Sequence, residues 1–187
     1  MSKKLFLQQT PLAGLTVITS TPAVDSRGRL ERLFCEDDLA SLQPGIHFTQ
    51  INLSATARQG TVRGMHFQRP PSAEAKLIRC LSGRVFDVAV DLRVGSPTWL
   101  QWHAVELDSG ASRQIFIPKG FAHGFQALTD NVQLLYMHTA SWNSNDEGTL
   151  RHDDPSLAID WPLPAIGISE RDQSAALIDE HFVGIEA

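Results

Sequence analysis

The chain has 187 residues, 42% hydrophobic and 20% charged, which suits one domain with a buried core and is unlike a disordered or collagen-like chain. Lys and Arg number 16 against 21 Asp and Glu, a formal net charge of -5. Sequence-independent nucleic-acid binding needs a basic excess, so that class is set aside, although a small basic pocket for a phosphorylated metabolite is compatible with this balance.

At the amino end, Lys3 and Lys4 precede only Leu5, Phe6 and Leu7 before Gln8 and Gln9. That run is too short for the core of a secretory leader, and no stretch approaches the roughly 18 apolar residues of a membrane span. Cys35 and Cys80 are too few for a disulfide framework and read as free thiols. A cytoplasmic protein with no membrane partner is expected.

Alternation with period two dominates the chain and predicts strands over 14–20, 47–54, 61–68, 75–81, 84–92, 100–107, 113–117, 124–127 and 132–139. The clearest run is 84–92. There Phe86, Val88, Val90 and Leu92 share one face, and Val85, Asp87, Ala89 and Asp91 share the other. Over 61–68 the same rule groups Arg63 with Met65 and Phe67, and His66 with Gly64 and Gln68. The second face is small and polar, as the inside of a ligand-binding barrel requires. Ser82-Gly83, Gly95-Ser96-Pro97 and Pro118-Lys119-Gly120 supply turns.

Helix is scarce. One short helix is expected over 36–42, stopped by Pro44 and Gly45. Another is expected over 169–178, with Ser169 as N-cap and Asp172 three residues on. After Asp153 the chain reads as an irregular wrap anchored by Leu157, Ile159, Trp161 and Leu163. Many short strands with little helix predict an all-β antiparallel sandwich or jelly-roll barrel in a single domain, residues 1–187.

Of seven histidines, His66 and His123 sit in unusual frames. Pro118-x-Gly120-x-x-His123 resembles half of the metal signature of cupin barrels. The other half normally presents His-x-His, and two positions after His66 stands Gln68. With that half missing no metal is expected, and a barrel histidine is then free to act as acid or base.

The wider pattern resembles the dTDP-4-dehydrorhamnose 3,5-epimerase family of metal-free, cupin-type nucleotide-sugar enzymes. The residues carrying the resemblance include Asp25-Ser26-Arg27-Gly28, Gln50-Ile51-Asn52, Arg63-Gly64-Met65-His66-Phe67-Gln68, Ala75-Lys76-Leu77 and Phe86-Asp87-Val88-Ala89-Val90-Asp91. Further along stand Ile117-Pro118-x-Gly120-Phe121-Ala122-His123-Gly124-Phe125, Leu135-Tyr136, Asp160-Trp161-Pro162 and Ser169-x-Arg171-Asp172. Each motif is weak alone; their collinearity is specific.

The resemblance implies an isomerase that inverts carbons beside the ketone of a nucleoside-diphosphate 4-keto-6-deoxyhexose through an enolate. Such chemistry needs a base, a stabiliser for the enolate oxygen and an acid on the opposite face, and no cofactor. By resemblance the base is His66, oriented by Asp172; the stabiliser is Lys76; the acid is Tyr136, the only tyrosine. Arg27, Gln50, Asn52, Arg63, His123 and Glu147 match positions that contact sugar, diphosphate or nucleoside. Trp142 and Arg171 are expected beside them. Arginine suits a diphosphate because its planar fork makes paired, charge-assisted hydrogen bonds.

Two positions depart from the family pattern. Arg32 replaces a common Glu and is expected at the mouth of the site; Trp142 replaces a common Tyr. They leave open which nucleotide is used and whether C3, C5 or both are inverted. Two other readings are a non-catalytic sugar-nucleotide-binding cupin, and a metal-dependent cupin oxygenase resting only on the Pro118–His123 motif. The resemblance also implies a homodimer that exchanges strands to complete each site.

Overall fold

The computed structural model describes residues 4–186; Lys3, part of the amino-terminal run weighed above as a leader, lies outside them. The elements run β1 (Leu5–Gln9), β2 (Thr16–Ser20), β3 (Ala23–Asp25), β4 (Gly28–Leu30), α1 (Glu36–Leu39), β5 (Gln50–Thr56), β6 (Val62–Gln68) and β7 (Lys76–Ser82). They continue with β8 (Arg84–Asp91), β9 (Trp102–Asp108), β10 (Arg113–Ile117), β11 (Phe121–Ala127), β12 (Val132–His138), β13 (Glu147–Thr149) and α2 (Glu170–Ser174). Among the described residues no helix is long and apolar enough to cross a membrane.

Six strands form one sheet in the order β1-β2-β10-β7-β12-β5, and five form a second in the order β13-β6-β11-β8-β9. Their ladders are antiparallel, which gives the cupin-like, all-β architecture expected from the sequence. The β3–β4 hairpin stands apart as a two-stranded ribbon.

The alternation of β8 shows how sequence becomes layers. Val85 and Ala89 point between the sheets and join Ile78, Cys80, Ile115, Phe125 and Leu134 in the central core. Phe86, Val88, Val90 and Leu92 point the other way, where Leu157, Ile159, Trp161, Phe182 and Ile185 of the carboxyl-terminal wrap cover them. A strand buried on both faces reads as nearly continuous apolar sequence, and β8 does. On the outside of the six-stranded sheet, Leu39 and Ile46 cover Leu5, Ile18, Leu77, Phe116 and Met137.

Polar contacts anchor the wrap and the loop after β8. The Trp161 indole donates to the His152 carbonyl at 2.8 Å. Buried Asp91 accepts from Arg93 Nε at 2.9 Å and from the hydroxyls of Ser96 and Thr98, both at 2.6 Å. Burial resists ionisation there, but these donors overcome it and hold the carboxyl at about 2. Cys35 and Cys80 are free; burial pushes the Cys80 thiol up to about 11, so it stays protonated.

Some expectations shift. Both helices are shorter than expected, although Ser169 caps α2 by accepting from the Asp172 amide at 3.1 Å. Strand β5 starts at Gln50 rather than His47, and β11 at Phe121 rather than Gly124. Strands β1, β3, β4 and β13 were not expected. Three of them span only three residues, and β1 is an edge strand.

The main correction concerns β6. Its register with β11 pairs His66 with His123 but Arg63 with Phe125, so three steps on β6 match two on β11. This bulge breaks the alternation. Arg63 turns to the same side as His66, while Met65 and Phe67 pack outward under the wrap. Gly64, at φ +126°, is where the chain makes the adjustment, and there it nearly touches Gly124 on β11.

A Cβ at Gly64 would meet Gly124 Cα and sit 2.8 Å from the His123 carbonyl oxygen, so Gly64→Ala is expected to cost about 3 kcal/mol by chemical denaturation. Gly95 also has positive φ but nothing within 4 Å, so Gly95→Ala should cost only about 1 kcal/mol. Equal losses at the two sites would contradict the bulge argument.

Candidate active site

At one end of the sandwich the inward faces turn from apolar to polar and enclose a cavity of about 620 Å³, within the usual range for small-ligand sites. The β5/β12/β7 register sets three pairs on the inward face of the six-stranded sheet: Asn52 with Tyr136, Gln50 with His138, and His138 with Lys76. The five-stranded sheet contributes Arg63, His66 and Gln68 from β6 and His123 from β11. His66 and Tyr136 therefore face one cavity from opposite sheets.

Helix α2 delivers Asp172 to His66, Oδ1 lying 2.8 Å from Nε2. Burial works against the charge on Asp172, but hydrogen bonding to His66 outweighs it and brings the carboxyl to about 2. Arg171 Nη2 also lies 2.9 Å from Nε2. A carboxylate can only accept and a guanidinium only donate, so Nε2 satisfies one of them. Asp172 is 3% exposed and depends on the imidazole, whereas Arg171 has Glu147 at 2.9 Å and open solvent. Nε2 thus carries its hydrogen toward Asp172, and Nδ1 is the nitrogen left to take a proton.

Lys76 is buried in the wall. Its ammonium lies 3.2 Å from Glu74 Oε1 and donates to the His66 carbonyl at 3.3 Å, which leaves one of its three hydrogens uncommitted by these contacts. Gln68 donates to Glu74 and accepts from the Asn143 amide at 2.6 Å, tying the loop after β12 to the barrel.

The Tyr136 ring lies between two histidines, edge-on to His123 with centroids 5.8 Å apart and stacked on His138 at 5.9 Å. Burial, reinforced by the Asp87 carboxylate, raises the phenol well above its ordinary value, against the opposing pull of Arg63. The hydroxyl is held protonated. His123 Nε2 lies 2.9 Å from Asp87 Oδ2, and both groups are buried.

Of the other expected residues, Asn52, Arg63, His123, Trp142 and Glu147 line the cavity. Gln50 stands just behind, its Oε1 accepting from the Trp142 amide at 3.0 Å. Arg171 reaches the site through Glu147 and Asp172. Arg27 does not reach this chain's cavity; at the tip of the β3–β4 hairpin its side chain is 88% exposed and paired with Asp25 at 2.6 Å. Arg32 is likewise not at the cavity mouth, because Asp38 draws it away at 3.2 Å. Among the described residues no group of three His, Cys, Asp or Glu side chains is arranged to share a metal ion.

Sequence reasoning missed Asp87, Glu74 and His138 as parts of the site. An aspartate on the inward face of β8 and a histidine two residues after Tyr136 were both visible signals. Glu74 precedes β7 and had none.

Fold and cavity together define a cupin-like enzyme site in which an imidazole–carboxylate pair faces a half-buried phenol. Residues 9–180 match the family model described as dTDP-4-dehydrorhamnose 3,5-epimerase, and the chain belongs to that family. A dTDP-4-dehydrorhamnose 3,5-epimerase of Mycobacterium tuberculosis is 40% identical over 177 residues, 92% of this chain and 87% of that one. A dTDP-4-dehydrorhamnose 3-epimerase of Streptomyces niveus is 38% identical over 175 residues, 93% of this chain and 84% of that one. The crystal structure of a dTDP-6-deoxy-D-glucose-3,5-epimerase from Legionella pneumophila, in complex with dTDP-4-keto-L-rhamnose, superposes with a TM-score of 0.87 at 37% identity, covering 92% of each chain.

His138 gives the site a pH signature. Burial, with Lys76 and His123 alongside, lowers its imidazole from 6.5 to about 4. Below 6.5 the unfolded chain takes up a proton that the folded chain refuses. Stability is therefore full above pH 6.5 and falls as pH drops toward about 4, by up to about 3 kcal/mol. Urea midpoints at pH 7 and pH 4.5 should differ clearly in the wild type and much less in His138→Phe.

Proposed function

We propose that this chain epimerises a dTDP-linked 4-keto-6-deoxyhexose at C3, C5 or both, with His66 as base, Tyr136 as acid and Lys76 as stabiliser of the enolate oxygen. The observation that carries the reading is the placement of His66 and Tyr136 on opposite walls of one cavity. Inversion requires that a proton leave one face of a carbon and arrive on the other.

Hydrogens beside the ketone are acidic because the carbanion delocalises as an enolate. Nδ1 of His66 takes one, and the imidazolium that forms is stabilised by Asp172 at 2.8 Å. The uncommitted hydrogen of Lys76 serves the oxygen where charge develops. Tyr136 then donates from the other side, driven by the basicity of the enolate carbon, and solvent restores its proton. Asn52, His123, Glu147 and Gln50 position sugar and nucleoside. Arg63 and Arg171 suit the diphosphate, which reconciles an anionic substrate with a net charge of -5. Trp142, 58% exposed at the rim, offers a face for stacking on a ring.

The same reading makes the protein a cytoplasmic homodimer built from one domain per chain. The shared central core supports the single domain. Exposed Ile51 and Leu53 on the edge strand β5, with Val24 and Leu30 on the hairpin, support an apolar contact between copies. Such a contact gives Arg27 a route to the partner's cavity.

In deuterated water the enzyme should introduce deuterium at C3, C5 or both of the keto sugar, and the labelled positions identify which carbons react. His66→Ala is expected to slow exchange and inversion by about 10²–10⁴-fold. Tyr136→Phe should lose inversion by a similar factor while exchange from the His66 side persists. Tight binding without any exchange would instead identify a binding protein, and unchanged rates in both variants would overturn the role assignment. Sedimentation should give a dimer mass; a monomer would contradict the proposed contact.

A further inference from the structure

A lysine is a poor pointer unless something holds it. Its stem is flexible, and its ammonium can send three hydrogens in many directions. Lys76, proposed above to serve the enolate oxygen, stands on β7 in the cavity wall. Glu74, two residues earlier, has no role in the reaction as proposed. Its side chain is nevertheless only 6% exposed, and Oε1 lies 3.2 Å from the Lys76 ammonium. A buried ion pair adds little net stability, because desolvation offsets the attraction. What this pair fixes is geometry.

Both oxygens of Glu74 are committed. Oε1 faces Lys76; His138 Nδ1, 4.0 Å from the same oxygen, is beyond hydrogen-bond distance. Oε2 accepts from Nε2 of Gln68. Gln68 is itself held one way round. The Asn143 amide donates to its Oε1 at 2.6 Å, so Nε2 faces the opposite side, where the Ser72 carbonyl accepts at 3.0 Å. The carboxylate is thus tied to β6 and, through Gln68, to the loops before β7 and after β12. Glu74 takes one ammonium hydrogen of Lys76, and the His66 carbonyl takes a second at 3.3 Å. Two fixed acceptors leave a tetrahedral ammonium one direction for its third hydrogen.

We propose that Glu74 is a positioning residue of the epimerisation, which acts through Lys76 by pinning the ammonium so that its third hydrogen points at the oxygen of the forming enolate, while Gln68 pins Glu74. The proposal rests on the substrate reading above. The bound ketone already carries that oxygen, but its charge grows only as the neighbouring C–H bond breaks. An aimed donor therefore acts chiefly on the transition state. When the aim is lost, kcat falls and binding scarcely changes.

Steady-state kinetics and deuterium exchange on the dTDP-linked keto sugar, with calorimetry on dTDP alone, test this. Glu74→Gln keeps the shape, but its amide must turn an NH2 group toward either Lys76 or Gln68, so one contact is lost whichever way it faces. Both kcat and exchange should fall about 10–100-fold, with KM within about threefold of wild type and dTDP affinity unchanged. Glu74→Asp keeps the charge but draws it back by one methylene, and should show the same split with a smaller loss. Adding Glu74→Gln to Lys76→Met should slow exchange no further, because the group it positions is gone. Wild-type kcat in either Glu74 variant, a parallel loss of dTDP affinity, or the full further loss in the Lys76→Met background would overturn the positioning role. A wild type that binds dTDP but neither exchanges nor inverts the keto sugar would instead overturn the reaction, and this role with it.

Discussion

The hydrogen bond between Asp172 and His66 joins residues 106 apart in sequence, and much of the chain's path follows from making it. An aspartate this deeply buried is stable as an anion only beside a committed donor, and the imidazole supplies one. To bring it there, the carboxyl-terminal segment must cross the outer face of the five-stranded sheet. On the way it buries Leu157, Ile159 and Trp161 on the apolar outer side of β8, and beyond α2 Phe182 and Ile185 join them. Packing of the wrap and tautomer of His66 are thus set by one piece of chain.

The inside of the sandwich shows a related economy. One continuous inward surface is apolar at one end, where Ile78, Leu134 and Phe125 meet, and charged at the other. Along β12 the change occurs in two steps of the pleat, from Leu134 to Tyr136 to His138. The charged end alternates in sign: Lys76 against Glu74, Arg63 near the Tyr136 phenol, and Asp87 against His123. Lys76 and Asp87 each have a partner in a region where an unpaired charge would be expelled or neutralised, and Arg63 donates to the Ala55 carbonyl. Burial against the core disfavours the Tyr136 anion and raises its phenol, and it likewise lowers the neighbouring His138 imidazole.

Where local pattern and tertiary demand agreed, the strands were legible. The faces of β8 were assigned correctly because both are buried and neither is interrupted. On β6 the same rule misplaced Arg63, because a bulge opposite β11 shifts the register by one residue, and a bulge is a property of the pair of strands. The hairpin β3–β4 escaped notice because it is exposed on both sides and shows no alternation. Arg27 matched a family position and Arg32 departed from one, and the exposed hairpin and the ion pair to Asp38 keep both out of this chain's own cavity.

The all-β class, the turn positions and the Ser169 cap of the helix that carries Asp172 were legible from side-chain period and backbone preference, which are local. The set of His66, Lys76, Tyr136 and Asp172 was implied by the family resemblance, which rests on motifs collinear along the whole chain. The tertiary structure decided which of those groups share a cavity, which nitrogen of His66 is free, and that Glu74 and His138 belong with them. Those facts depend on register between strands distant in the chain and on burial, which changes the charge a side chain can hold. Neither quantity exists until the two sheets have closed on each other.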